Sequence, residues 1–222
     1  RREPARRAIA GRDADVDADD FTHARCGRRH QRLDHRRADR RHRRRSADDQ
    51  HVLRTRECIE LTDARTGKPY HLEGDTGRVR AFMFVSLTNP PARLQVSEWD
   101  RLAAKYDTAQ VHLFTVYGRE LHPGDKQSYR MWPDPKSEDE KRAYAKEFAQ
   151  LTTMPVLVDG LNDAVSNAYG RVPNGAYVID KDGRLIFHAT WADHRKVAHI
   201  LETLLKWYAD GRPRKLSNKA GQ

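Results

Sequence analysis

Apolar residues fall into short continuous runs from about residue 58 onward, and longer segments with helical spacing separate these runs. The runs AFMFVS (residues 81–86), VHLFTVY (111–117) and PVLVD (155–159) have the length and composition of strands buried on both faces of a sheet. The residues after the first run predict an amphipathic helix, because apolar side chains recur at helical spacing at Val96, Trp99, Leu102, Ala103 and Tyr106.

Capping signals place the other helices. SEDEKRAYAKEFAQL opens with Ser137 and carries Glu140 three residues later, a capping box that predicts a helix start. LNDAVSNAYG predicts a short helix closed by Gly170. A last helix is expected to begin after Asp193 as its N-cap and to end at Gly211.

Two hairpins complete the predicted sheet. CIEL and TDARTGKPYHL form two short strands around a Thr-Gly-Lys turn, and GAYVID and RLIFHA pair across an Asp-Gly turn. The resulting order, ββ-β-α-β-α-β-α-β-β-α, predicts an α/β protein with a mixed central sheet flanked by helices. The last hairpin supplies an antiparallel edge of that sheet.

Composition divides the chain into three parts. Residues 1–57 contain 18 Arg and no Lys against 11 acidic residues, a balance of +7 in a chain of net charge +10. They hold one Ile, one Phe and no Tyr or Trp, so they bury too little apolar surface to offset the entropy of ordering. We expect a disordered or artefactual Arg-rich extension over 1–57, a folded domain over 58–210 and a polar tail over 211–222.

Three interpretations of the Arg-rich extension stay open. It is a disordered tail, an arm for nucleic acid, or an artefact of translation, since GC-rich DNA read upstream of a true start or in the wrong frame gives this composition. Clustered arginine in RRADRRHRRRS (residues 36–46) neutralises phosphate charge, but no aromatic residues interleave for base stacking. Nucleic acid therefore ranks last among the expected partners.

Cysteine and histidine usage favours neither a disulfide framework nor a metal site. The two cysteines are Cys26 and Cys58, and the spacing Cys-x3-His-x4-His that begins at Cys26 fits no common structural zinc pattern. We predict no bound metal. No apolar run approaches the roughly 18 residues of a membrane-spanning helix, so no membrane span is expected.

Four motifs in order carry a family resemblance. TNPPAR (residues 88–93) follows a buried strand and precedes a helix, as in redoxin active sites. Together with VYGRELHPGD (116–125), PVLVDGLNDAVSNAYG (155–170) and VPNGAYVIDKDGRLIFH (172–188), it makes residues 58–205 resemble iodothyronine deiodinases and their bacterial relatives. The resemblance implies a thioredoxin-like fold and thiol-dependent reductive deiodination. It also implies a thiol reductant as electron donor and no bound cofactor.

Matching the motifs residue by residue assigns a candidate site. Asn89 stands where the family carries its selenocysteine or cysteine, and Glu120 and His122 stand where its substrate-facing acid and histidine lie. The resemblance also implies a cis proline opposite the redox position, which is Pro173. The residues that match the active-site turn itself are Thr88, Pro90 and Pro91.

Asn89 is a severe departure from the family pattern. Reduction of a disulfide, or removal of an iodonium-like halogen, requires a soft, polarisable anion, which a helix N-terminus provides by lowering the pKa of a thiol. A carboxamide does not ionise near neutral pH. Its oxygen does accept a hydrogen bond from the N–H groups at a helix start, so Asn89 is expected to cap the helix.

The other candidates have alternative roles that stay open. Alternation puts Glu120 and His122 on one side if their segment is extended, as an acid–base pair requires, whereas a loop histidine and a solvated glutamate are the simpler explanation. Cys58 lies on the first predicted strand, where burial as a small apolar residue is usual. Either a lid over a pocket or ordinary core packing explains Tyr129, Met131 and Trp132.

Two functional hypotheses follow. The first is a deiodinase-like, thioredoxin-fold protein whose redox activity is lost or altered, so the family's oxidoreductase activity does not decide whether this chain is an enzyme. The second is a non-catalytic module that binds a small molecule or a protein in the former redox pocket. The substrate, the oligomeric state and the compartment stay open, with the cytoplasm as the working expectation.

Overall fold

The computed structural model of the protein describes residues 60–72 and 77–211. Its strands are β1 (Glu60–Asp63), β2 (Pro69–His71), β3 (Val79–Val85), β4 (Val111–Tyr117), β5 (Val156–Val158), β6 (Ala176–Ile179) and β7 (Leu185–Ala189). Its helices are α1 (Pro90–Ala103), α2 (Lys126–Tyr129), α3 (Glu138–Phe148), α4 (Ala164–Ala168) and α5 (His194–Ala209). The Arg-rich extension, both cysteines and the tail beyond residue 211 lie outside the described residues.

One mixed sheet organises the described residues, with the strand order β2-β1-β5-β4-β3-β6-β7. The central strands β5, β4 and β3 are parallel, and hairpins pair antiparallel at both edges, β1 with β2 and β6 with β7. The predicted α/β architecture with a mixed sheet and an antiparallel C-terminal edge is therefore confirmed.

Strand β3 explains why the sheet has helices on both faces. All seven of its residues are buried, and alternate side chains point to opposite faces. Val79, Ala81 and Met83 belong to a core shared with α1, α3 and α5, whereas Phe82 and Phe84 belong to an aromatic core shared with α4. The continuous apolar run in the sequence is thus the consequence of burial on two sides.

The segment between β4 and α3 differs from the sequence-based expectation. It contains the four-residue helix α2, whose length is too short for a periodic apolar pattern. The predicted capping box is half formed: the Glu140 N–H donates to the Ser137 hydroxyl at 3.2 Å, but the Glu140 carboxylate accepts from the Lys136 N–H at 2.6 Å.

The described helices are short. The longest, α5, has 16 residues, and no helix in residues 60–72 and 77–211 has the length and apolar character needed to cross a bilayer.

Candidate functional site

The turn from β3 into α1 leaves the sheet with backbone donors that need new acceptors. The Leu87 N–H donates to the Tyr117 hydroxyl at 3.2 Å, and the Thr88 N–H donates to Oε2 of Glu120 at 2.9 Å. Both acceptors belong to the neighbouring parallel strand or to the segment directly after it. The turn is therefore attached to β4 by side-chain hydrogen bonds where the backbone ladder ends.

Glu120 is the buried centre of these contacts, with 3 % of its surface exposed. Its Oε2 also accepts from the Thr88 hydroxyl at 2.6 Å, and its Oε1 accepts from the Tyr117 hydroxyl. The Thr88 Oγ1 in turn accepts from the His122 N–H at 3.1 Å. Both carboxylate oxygens are thus occupied within the protein, and the geometry makes Glu120 a group that positions the turn.

Asn89 fills the position expected for the redox nucleophile and is 1 % exposed. Its side-chain oxygen accepts from the Ala92 N–H at 3.3 Å, so the prediction that it caps α1 is confirmed. Its side-chain nitrogen donates to the Pro173 carbonyl at 3.1 Å. Pro90 and Pro91 follow at the first two positions of α1, where a missing N–H costs no intrahelical hydrogen bond.

His122 faces a different environment from Glu120. Its side chain is 50 % exposed, its Nδ1 lies 3.6 Å from an Asp125 carboxylate oxygen, and its ring stacks on Tyr129 with centroids 6.0 Å apart. The segment after β4 is not a strand, so the alternation that would place Glu120 and His122 on one side does not apply. Within residues 60–72 and 77–211, no group of three or more metal-ligating side chains is arranged for a metal ion.

The prediction of a cis peptide bond before Pro173 is wrong, because no cis peptide bond occurs in the described part of the chain. The Gly175 N–H donates to the Val172 carbonyl at 3.0 Å, which closes a four-residue turn with Pro173 at its second position. A trans proline with its fixed φ suits that position, whereas a cis proline belongs at the third.

A cleft lies beside this turn, at the carboxyl ends of β3 and β4, and encloses about 550 Å³ including its open mouth. Phe84, Val85 and Leu121 give it apolar walls, and Arg119 and Arg171 give it cationic ones. We call it the Arg119–Arg171 cleft. Pro173 also lines it, so the cleft borders the turn that Asn89 holds.

An ion network supports one wall of the Arg119–Arg171 cleft. The Asp163 carboxylate pairs with Arg119 at 2.7 Å and with the Lys141 ammonium at 3.4 Å. The side chain of Lys141 is 3 % exposed and also donates to the Gly160 carbonyl at 2.9 Å. Burial raises the pKa of the nearby Asp159 carboxyl, although N–H groups of α4 donate to it.

Of the residues that line this cleft, the sequence motifs had selected only Pro173. The available signal was the position of polar side chains just after parallel strands, since ligands bind at the carboxyl ends of such strands. Arg119 comes two residues after β4, and Asp159 comes directly after β5. The ion pair between Arg119 and Asp163 spans 44 residues of sequence, so no local sequence pattern predicts it.

Comparison with known proteins establishes the fold. No protein-family model matches the chain, and no curated protein matches it. Among solved structures, an exposed lipoprotein thioredoxin of Streptococcus pneumoniae strain TIGR4 is 21% identical, with 66% of this chain and 99% of that one covered and a TM-score of 0.50. A putative thioredoxin from Neisseria meningitidis is 19% identical, with 70% and 92% covered and a TM-score of 0.51.

An uncharacterized conserved protein from Geobacillus kaustophilus is similar to the same degree. It is 19% identical, with 72% of this chain and 83% of that one covered and a TM-score of 0.52. At these identities the likeness concerns the fold alone. The chain has a thioredoxin-like fold, as the sequence motifs predicted.

We predict that Glu120→Ala lowers the free energy of unfolding by at least about 3 kcal/mol, because it leaves three buried donors without an acceptor at about 1–3 kcal/mol each. Glu120→Gln keeps one acceptor oxygen for Thr88 and should lose less. Urea denaturation followed by circular dichroism measures both. Glu202→Ala, an exposed position of α5, is the control and should stay within about 0.5 kcal/mol; an equal loss in all three variants contradicts the role of Glu120.

A second prediction concerns alkaline stability. Burial and, next, the Glu120 carboxylate raise the pKa of Tyr117 far above its usual range, and burial raises the pKa of Tyr177 to about 12. A pKa raised on folding stabilises the protein fully below the unfolded value of about 10, and this stability is lost as the pH rises above it. The free energy of unfolding should fall above about pH 10, and Tyr117→Phe should make that fall shallower by up to about 1.4 kcal/mol per pH unit.

The measurement is urea denaturation at several pH values between about 9 and 11. Tyr129→Phe, at a partly exposed tyrosine of α2, is the control and should leave the slope unchanged. An identical slope in wild type and Tyr117→Phe would show that the Tyr117 hydroxyl ionises as easily in the folded chain as in the unfolded one.

Proposed function

We propose that this chain is a deiodinase-like, thioredoxin-fold protein that has lost thiol redox chemistry and acts by binding rather than by turnover. The observation that carries the proposal is the state of Asn89. It occupies the helix start where a redoxin holds its nucleophile, and both polar atoms of its side chain are bonded within the protein, to Ala92 and to Pro173.

The chemistry of this position supports the loss of redox function. A thiolate at a helix start is stabilised by the free N–H groups and the helix dipole, and it attacks sulfur or iodine as a soft anion. An amide has no anionic form near neutral pH. Neither Cys26 nor Cys58 belongs to the described residues, so residues 60–72 and 77–211 contain no thiol that replaces it.

The deiodinase-like assignment rests on sequence motifs together with the fold. Thr88, Pro90 and Pro91 form the turn that the family resemblance assigns to the active site, and Glu120 accepts hydrogen bonds from that turn. Pro173 lies opposite and is joined to it through Asn89. These contacts support a site that keeps the turn of the family pattern and differs from that pattern at the reacting atom and in the trans peptide bond before Pro173.

The Arg119–Arg171 cleft favours a binding function over a site that has neither redox activity nor a ligand. The cleft borders the turn through Pro173, and it combines apolar walls with charged side chains, as small-molecule sites do. A small-molecule ligand is therefore the preferred partner, and a protein partner is the alternative.

Asn89→Cys tests the proposal in a chain that also carries Cys26→Ser and Cys58→Ser. We expect the introduced thiol to have a pKa below about 7.5, because it takes the helix start that lowers thiol pKa values in redoxins. The rate of iodoacetamide alkylation against pH measures this pKa. Ser97→Cys, exposed in the middle of α1, is the matched control and should titrate near about 8.5.

Activity is measured alongside. The unmodified chain, given dithiothreitol, should release no iodide from iodothyronines and reduce no insulin disulfides above the rate of the reductant alone. Activity in the unmodified chain would refute the loss of redox chemistry. An introduced thiol at position 89 with the pKa of the Ser97→Cys control would show that the turn is not a preserved redoxin site.

A further inference from the structure

We propose that the Arg119–Arg171 cleft binds an amphipathic organic anion, with an apolar body against its walls and a single carboxylate held by the guanidinium groups at its rim. This inference rests on the proposed binding function and specifies its site and ligand class. It assigns recognition to residues beside the redox turn, since the polar side-chain atoms of Thr88, Asn89 and Glu120 already form hydrogen bonds within the protein.

The charges around the cleft favour an anion. Among the lining residues Arg119 and Arg171 are cations, and Asp163, which pairs with Arg119, is the acid. Arg171 donates to the Asn167 side-chain oxygen, and within residues 60–72 and 77–211 it has no carboxylate partner. The Arg119 side chain is 68 % exposed, which leaves guanidinium donors directed at solvent. A ligand carboxylate would complete both guanidinium groups with charge-assisted hydrogen bonds.

The walls favour a ligand with an apolar body. Pro173, which is exposed, and Leu121, which is half-buried, form its apolar rim. Phe84 and Val85 lie beneath them as a buried floor, and the Phe84 ring is fixed by contacts with Phe82 and Tyr177. Inorganic phosphate would satisfy the arginines and leave these apolar walls in water.

The backbone places two charged side chains at the rim. Asp163 and Arg171 have φ values of 50° and 57°, and they are the only non-glycine residues in the described chain with positive φ. Hydrogen bonds hold both: the Asp163 N–H donates to the Gly160 carbonyl at 2.9 Å, and the Arg171 N–H donates to the Ser166 carbonyl at 2.8 Å. Strained backbone of this kind concentrates at ligand sites. Both strained residues line this one cleft.

The probe for the experiment is 3-phenylpropionate, with 3-phenylpropanamide as its uncharged counterpart and inorganic phosphate as its non-apolar one. Isothermal titration calorimetry on the full chain measures affinity, and 15N-labelled amide spectra report whether Gly118 and Ser166 shift. We expect the carboxylate to bind at least about tenfold more tightly than the amide, since a charge-assisted hydrogen bond contributes about that factor. We expect phosphate to compete only weakly.

Variants separate the charge from the walls. Arg171→Gln should weaken binding about tenfold, and Arg171→Lys should lose less because it keeps the charge. Gly118→Leu should block the cleft with both arginines in place, because a Cβ at Gly118 meets only the Phe84 ring, at 3.5 Å. Arg101→Gln, an exposed arginine of α1 outside the cleft, is the matched control and should bind as the wild type does.

Several results would overturn the inference. They are no measurable binding of 3-phenylpropionate, equal affinity for its amide, unchanged binding by Arg171→Gln, or phosphate competing as strongly as the carboxylate. These failures differ from failure of the proposed function, which appears in the thiol pKa and iodide assays on position 89. If binding follows the expected pattern and the unmodified chain also shows redox activity, the inference about the cleft is supported and the proposed loss of redox activity is refuted.

Discussion

The hydrogen bonds to the Glu120 carboxylate are the contacts on which the site's architecture depends. When β3 leaves the sheet, its last N–H groups lose their strand partners, and a buried unpaired N–H costs about 1–3 kcal/mol. Glu120 and Tyr117 supply acceptors from β4 and the segment after it, and the Thr88 hydroxyl oxygen accepts a hydrogen bond from the His122 N–H. These hydrogen bonds fix the start of α1 relative to β4, and none of them involves the side chain at position 89.

That arrangement explains how the turn before α1 keeps its conformation with a carboxamide at position 89. The Asn89 oxygen accepts from the Ala92 N–H, and its nitrogen donates to the Pro173 carbonyl. Position 89 therefore requires a side chain with both an acceptor and a donor. Aspartate lacks the donor and alanine lacks both. An amide is therefore matched to this position on structural grounds, and the two sides of the site stay joined although no thiol is present there.

The fold was predictable from sequence because its signals are local. β4 was expected at 111–117 and is Val111–Tyr117, and the cap at Asn89 follows from its place before two prolines. The site was predictable only in part. The burial of Glu120 depends on a contact with Thr88 across 32 residues, and the wall of the cleft depends on a pair across 44. The trans Pro173 lies in a turn closed by the Gly175 N–H and the Val172 carbonyl, which the motif comparison did not predict.

Pro173 connects the two parts of the site. Its carbonyl accepts from Asn89, and the same residue lines the Arg119–Arg171 cleft. The hydrogen-bonding groups of the turn are used within the protein, whereas the Arg119 guanidinium at the cleft is exposed to solvent. Because Asn89 donates to the loop that carries Pro173 and Arg171, its amide also helps to shape the surface on which recognition is proposed to occur.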